Sequence, residues 1–262
     1  VLAGTAGQDA TRSASELVPH TSRTVATALA AAIESATSEQ WARSWLTADR
    51  IAAQAISESV DHLPFPNEPA LARLVMNHAS NGASITLGSS MPIRDVDTFG
   101  GKNQRNLRVF GNRGTNGIDG VASAATGAAA AGVQSIALLG DVSMFHDLNI
   151  LGTAAQLDLP ITYVVINNDG GGIFHFLPQA QPELLDPAVF ETYLGTPHGT
   201  DFVAVARALG IAAERIERGE DLAAALQTEP SGPGLYELRT DRSANLAAHR
   251  SAAGAVVAAL RS

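Results

Sequence analysis

The chain contains no cysteine. That absence excludes disulfides, thiolate metal sites and a thiol nucleophile. Charge is sparse as well: Asp, Glu, Lys and Arg make up 16% of the 262 residues, with 17 basic against 26 acidic side chains, a net charge of −9. No Lys/Arg cluster offsets that balance, so nucleic acid is not an expected partner. The most apolar run, VASAATGAAAAGV (residues 121–133), is built of small residues and falls short of the ~20 apolar residues a membrane span needs. The opening VLAGTAGQDATRSASE lacks the basic and apolar regions of a secretory signal, and a cytoplasmic location is expected. The first residue is Val rather than Met, so a piece of a longer protein is expected. No GxGxxG follows the first strand, which argues against a dinucleotide binder.

What is present is an ample core, with 45% hydrophobic residues. Residues 1–60 are rich in Ala, Ser and Thr, and TVATALAAAIESA and SEQWARSWLTADRIAAQAISESV carry apolar residues at helical spacing. Trp41 and Trp45 share one helix face and are expected to pack against a neighbouring surface. DHLPFPNEP (61–69) is a Pro-punctuated boundary through Pro66 and Pro69. Beyond it, strand-like runs (SITLGS, RVFGN, QSIALLGD, ITYVVINN, a poorly marked element near 211–216, GLYELRT) alternate with helical ones, among them MFHDLNILGTAAQL and SANLAAHRSAAGAVVAAL. Continuous apolar strands between helices predict an α/β, doubly wound, mainly parallel sheet of about six strands with helices on both faces.

Two stretches stand out. GDVSMFHDLN (140–149) follows one apolar run, and NNDGGGIFHFLPQ (167–179) follows the next. Asp141 and Asn168 then sit at two strand carboxyl ends, 27 positions apart, with room for one helix between adjacent parallel strands. Ligands of such sheets bind past those ends. A carboxylate, an amide oxygen and a backbone carbonyl are hard oxygen donors that suit Mg²⁺ shared with phosphates. The glycines at 170–172 allow a sharp turn that exposes a carbonyl, and the Val142 and Ser143 amides open a helix, where an anion is favoured. Either half alone reads as an Asp cap or a glycine turn; the pair at this spacing points to a diphosphate bridged to a divalent cation.

The Gly-Asp pair, followed 27 residues on by Asn and then by Gly two beyond, resembles the thiamine-diphosphate motif of the decarboxylase/carboligase superfamily. The resemblance implies a thiamine-diphosphate-binding fold and a metal, Mg²⁺ or Mn²⁺, held by Asp141, Asn168 and the Gly170 carbonyl. It implies cofactor contacts from Gly140, Val142, Ser143, Gly171 and Ile173. Val142 stands where many members have Gly, and the position contributes backbone. By the same resemblance, Ile118 falls in the loop that in this superfamily presents a bulky apolar side chain beneath the thiazolium.

Five segments in order, SSMPIRDVD, GNRGTNGIDG, GDVSMFHDLN, VINNDGGGIFHFLPQ and TDRSANLAAHR, are similar to the MenD family, the 2-succinyl-5-enolpyruvyl-6-hydroxy-3-cyclohexene-1-carboxylate (SEPHCHC) synthases of menaquinone biosynthesis. The resemblance spans roughly residues 84–251. It implies decarboxylation of 2-oxoglutarate and addition of the succinyl-semialdehyde unit to isochorismate. Both substrates are anionic, and by resemblance Ser90, Arg94, Arg113 and Phe174 contact them. A guanidinium grips a carboxylate with two bonds. Both arginines are expected in loops after short strands. For most arginines, such as Arg43 and Arg218, surface solvation is the better reading; Arg108 stays open between the two.

The superfamily's catalytic Glu comes from another domain, usually of a partner subunit, and none of Glu58, Glu68, Glu183 or Glu191 stands in a matching context. The chain is therefore expected to be the diphosphate-binding part (61–262), with residues 1–60 as the tail of a preceding central domain or linker helices. An N-terminal pyrimidine-binding domain from a partner subunit, in a homodimer or homotetramer, would complete the site. His146 and Asp147 are neighbours that cannot face each other on a helix, so packing and helix capping are expected of them. His175 could line the pocket, Asp241, Arg242 and Asn245 are read as tying the last strand to the last helix, and His198 has no role. Two other readings compete: an acetolactate synthase-like decarboxylase/carboligase, and a non-catalytic binding or assembly module.

Overall fold

The computed structural model of the protein describes residues 2–3, 13, 15–33, 39–102, 105–112, 117–228 and 230–262. The chain divides into two units, Val1–Arg50 and Ile51–Ser262. The first holds a parallel pair of two-residue strands, β1 (Leu2–Ala3) and β2 (Leu17–Val18), then helix α1 (Ser22–Ala32) and the start of α2 (Glu39–Asp61). The strand pair is an addition to the helices read from sequence, since two residues are too few to show an alternation. Thr21 caps α1 by accepting from the Thr24 amide at 3.3 Å. Trp41 and Trp45 do share a helix face, but they pack edge-on against each other, ring centroids 6.0 Å apart, and remain 62% and 63% exposed. The expected burial under a neighbouring surface is replaced by this mutual contact.

The second unit begins within α2 and continues through α3 (Glu68–His78), β3 (Ser84–Leu87), α4 (Met91–Phe99), β4 (Arg108–Gly111), α5 (Val121–Ala130) and β5 (Ser135–Gly140). It goes on with α6 (Asp141–His146), α7 (Asn149–Gln156), β6 (Ile161–Asn167), α8 (Pro187–Phe190), α9 (Phe202–Ala208), β7 (Ala212–Arg215), α10 (Gly219–Gln227), β8 (Gly234–Arg239) and α11 (Arg242–Arg261). Six strands form one wholly parallel sheet in the order β4-β3-β5-β6-β8-β7. The expected doubly wound sheet is present, with β5 and β6 side by side at its centre.

Alternation within the central strands feeds two cores. Ile136 and Leu138 of β5 meet Leu71 and Val75 of α3 and Leu222 and Leu226 of α10. Ala137 and Leu139 turn the other way, toward Val121 and Ala125 of α5, Leu151 of α7 and Phe202 of α9. A strand covered on both faces must be apolar at every position, which is why these runs lack alternation. All seven residues of β6 are buried, whereas β4, at the edge, is exposed throughout.

From β3 the chain winds outward to β4, then crosses back past β3 to β5 and winds the other way. The reversal leaves a crevice beyond the carboxyl ends of β3 and β5. Two local expectations change here. The helix read over residues 144–157 is split into α6 and α7, because the Asp147 carboxylate leaves its own helix for the Ser123 amide (2.6 Å) and hydroxyl (2.7 Å) near the start of α5. Asp147 thus caps a helix, though not its own. Arg94 is in the helix α4 rather than a loop, since Pro92 presets the first helical turn.

Among the described residues no helix is long and apolar enough to cross a membrane.

Candidate cofactor and metal site

Asp141 follows β5 directly and is 2% exposed. Its Oδ1 accepts from the Val142 amide at 2.7 Å and its Oδ2 from the Gly170 amide at 2.9 Å. One carboxylate therefore ties the loop after β5 to the loop after β6. Burial pushes this carboxyl up, against the two amide hydrogen bonds that favour its charged form.

The amides of Asn167, the last residue of β6, and of Asn168, the next, diverge. Asn167 turns into the sheet's supports: its Nδ2 donates to Glu237 Oε1 at 2.6 Å and to the Thr200 carbonyl at 3.2 Å. Asn168 turns toward the crevice, and its Nδ2 donates to Glu68 Oε1 at 2.9 Å. Its other end, Oδ1, is buried with no hydrogen-bond partner.

Gly170 has φ +133°, and a Cβ there would overlap the Gly195 carbonyl oxygen. Only glycine fits this position, for conformation and for space alike. The neighbouring Gly171 amide donates to that same carbonyl at 2.7 Å. Asp169 Oδ1 accepts from the His198 and Gly199 amides at 3.0 and 2.8 Å, and the Gly199 bond is the main reason its carboxyl lies below the usual range. The segment 195–199 thus clamps the loop after β6.

A cavity of about 180 Å³ opens over these loops. That is less than the ~300 Å³ at which small-molecule sites usually start. Ser90, Ile118, Gly140, Asp141, Val142, Ser143, Asn168, Gly170, Gly171, Ile173 and Phe174 all line it, joined by Glu68, Met91, Pro92, Ile166, Gly172 and Thr196. Arg94 does not. It lines the adjoining hollow with Met91, Ile173 and His249, and its Nη1 donates to the Ser89 and Ser90 carbonyls at 3.0 and 2.6 Å. Arg113 lies outside the described residues. Arg108 starts β4 in register with Ser84, at the amino end of the sheet and away from the crevice, so its open reading resolves to surface.

The donor set fits a hard divalent cation. Asp141 supplies a carboxylate, Asn168 an unpartnered buried amide oxygen, and Gly170 a carbonyl that accepts from the Gly172 amide at 2.9 Å and keeps a second lone pair. Among the described residues no three His, Cys, Asp or Glu side chains gather around one point. A set that leaves most positions to phosphate oxygens and water is the pattern of Mg²⁺ rather than of an all-protein cage.

Two residues next to this set carry no local sequence signal. Glu68 opens α3 and is 1% exposed. His198 accepts the Thr200 amide on Nδ1 at 3.0 Å, and its Nε2 lies 3.3 Å from Asp141 Oδ2. Its ring stacks on Phe145, centroids 5.8 Å apart. Among the described residues no histidine lines the cavity itself. His146 faces Asp119 at 3.6 Å, and His175 packs edge-on against Phe190, burial holding its ring below the usual pKa. Asp241 caps α11 through the Ala244 amide at 2.7 Å, and Arg242 pairs with Glu191 at 2.5 Å. Asn245 reaches Glu68 at 2.8 Å. This trio therefore ties α11 to other segments rather than to β8 alone.

The family described as thiamine pyrophosphate enzyme, C-terminal TPP binding domain, matches residues 100–236, just over half of the chain. The 2-succinyl-5-enolpyruvyl-6-hydroxy-3-cyclohexene-1-carboxylate synthase of Myxococcus xanthus is 41% identical over 213 residues, 80% of this chain and 36% of the relative. The synthase of the same name from Bacillus velezensis is 40% identical over 214 residues, with the same coverage of 80% and 36%. The chain spans little more than a third of the length of these curated relatives. Among solved structures, the thiamine diphosphate-dependent 4-hydroxybenzoylformate decarboxylase of Rhodococcus jostii superposes with a TM-score of 0.52 at 24% identity, covering 67% of this chain and 32% of its own. The benzoylformate decarboxylase of Polynucleobacter necessarius gives 0.50 at 20% identity, covering 68% and 34%. These two carry the fold alone.

Proposed function

We propose, for a chain that belongs to the thiamine pyrophosphate enzyme family through its C-terminal TPP-binding domain, that it supplies the diphosphate and metal half of a SEPHCHC synthase site. The reaction is a carboligation of menaquinone biosynthesis, in which 2-oxoglutarate loses CO₂ and the remaining succinyl-semialdehyde unit is joined to isochorismate. The observation that carries the reading is the buried, unpartnered Asn168 oxygen beside a buried Asp141 carboxylate at neighbouring strand ends. The substrate choice rests on about 40% identity to synthases of that name.

In this reading Asp141, Asn168 and the Gly170 carbonyl hold Mg²⁺ or Mn²⁺, and Gly140, Val142, Ser143 and Gly171 line the diphosphate. Bound there, thiamine diphosphate supplies the electron sink that makes loss of CO₂ feasible. Ile118 and Ile173 wall the cofactor, and Phe174 and Ser90 reach the substrate side. The apolar wall excludes water, which strengthens each charge interaction inside it. Arg94 and Arg113 grip substrate carboxylates, Arg94 by turning its fork from the Ser89 and Ser90 carbonyls. The general Glu comes from a pyrimidine-binding domain contributed by a partner subunit of a homo-oligomer. Residues 61–262 act as the diphosphate-binding domain, and residues 1–60 as the tail of the domain before it.

Calorimetric titration of thiamine diphosphate with and without Mg²⁺ tests this. The expected result is binding that requires the metal. Metal-independent binding, or none in the enzyme completed with its pyrimidine-side domain, would overturn it.

A further inference from the structure

Glu68 is buried to 1% exposure in the lining of the candidate site, yet no Lys or Arg pairs with it among the described residues. Its carboxylate instead collects three donors from three parts of the chain. Oε1 accepts from Asn168 Nδ2 and from the Thr240 hydroxyl, each at 2.9 Å, and Oε2 accepts from Asn245 Nδ2 at 2.8 Å. An ionised carboxylate only accepts. Of the two ends of the Asn168 amide, only the nitrogen can face it.

We propose that Glu68 is a positioning residue for the metal site, holding the Asn168 amide so that its oxygen points into the cleft beside Asp141. The inference rests on the reading of Asn168 as a metal ligand. Without the carboxylate, the amide could turn over and present an NH₂ group, which cannot coordinate a cation. Groups of this kind, one bond removed from a metal, set the orientation and strength of the ligands they touch. Thr240 and Asn245 fix the carboxylate in turn, so the last strand and last helix act on the metal site through one side chain.

The test exchanges the charge with a neighbour. Glu68→Gln keeps the shape but sets an NH₂ group against either Asn245 Nδ2 or the Asn168–Thr240 pair. Asn245→Asp alone sets a second carboxylate against Glu68. The double variant Glu68→Gln/Asn245→Asp restores both the charge and the donor–acceptor order, since the introduced glutamine can donate to the introduced aspartate and accept from Asn168. The measurement is Mg²⁺ and thiamine diphosphate affinity by calorimetry in the complete enzyme, with thermal unfolding to confirm the fold. Each single variant should bind about 10- to 100-fold more weakly, and the double should recover most of that loss. Wild-type affinity in Glu68→Gln would overturn the inference, as would a folded double variant no better than Glu68→Gln. Wild-type affinity in Asn168→Ala would instead remove the metal reading itself, and this inference with it.

Discussion

The sheet ends its strands in two different ways. At the centre, β5 and β6 are buried along nearly their whole length, and the loops that follow are tied to each other by Asp141 and to the 195–199 segment by Gly171 and Asp169. At the edge, β4 is exposed at all four residues, and Asn112 after it is held by the Ser89 hydroxyl and by its own bond to the Asp119 carbonyl at 3.0 Å. Asp141, Asn168 and Gly170 belong to the first kind of end, and Ile118, in the segment after β4, to the second. A metal and a diphosphate need donors fixed within a fraction of an ångström, and the most constrained loops provide them.

The sharpest way to break this contrast is at the centre. Asp141→Ala or Asn168→Ala should abolish metal-dependent cofactor binding, because Mg²⁺ tolerates little loss of ligand geometry. Unchanged diphosphate affinity by calorimetry in both would end the assignment. Gly170→Ala comes next. Its Cβ would run into the Gly195 carbonyl at a φ of +133°, and strain of that type costs about 1–3 kcal/mol or more. A clear fall in melting temperature together with weaker cofactor binding is expected. A smaller effect should come from Arg94→Ala. Losing a charge-assisted hydrogen bond costs about 1.5–3 kcal/mol, so kcat/KM should drop roughly ten- to a hundredfold with the cofactor still bound. Arg94→Lys should rescue only in part, since an ammonium lacks the two-pronged fork. Steady-state kinetics with each substrate varied in turn decide it, and simultaneous loss of the cofactor would move Arg94 from substrate to fold. The least effect is expected at the edge loop. At Gly117 a Cβ would meet nothing closer than the Ser89 Cβ at 3.9 Å, so Gly117→Ala should shift stability by no more than about 0.5 kcal/mol. A large loss of melting temperature there would show that the edge is as rigid as the centre.

Much of the site is legible in the sequence because its signals are local. Gly140, Asp141 and Val142 are consecutive and end an unbroken apolar run, and so do Asn168 and Gly170, so the apolar pattern alone places them at strand ends. The family resemblance names the others, Ser90, Ile118, Ile173 and Phe174 among them, and all eleven positions line one cavity. Arg94 reads as a loop residue because a nine-residue helix opening on Met-Pro offers little periodicity. Asp147 reads as a cap, but its partner Ser123 lies 24 positions away and no pattern in the chain announces it.

The order of apolar runs and turns by itself determined the parallel sheet, its two covered faces, the adjacency of β5 and β6, and the two loops that could share a cation. These depend on spacing along the chain, which backbone geometry converts directly into position. Only the tertiary structure decided that the Asn167 amide turns to Glu237 and Thr200, that His198 lies against Asp141, and that Glu68, 100 residues before Asn168, takes its amide nitrogen. Hydrogen bonds between buried groups obey partner chemistry and distance in space, and folding alone brings such distant residues within about 3 Å of one another.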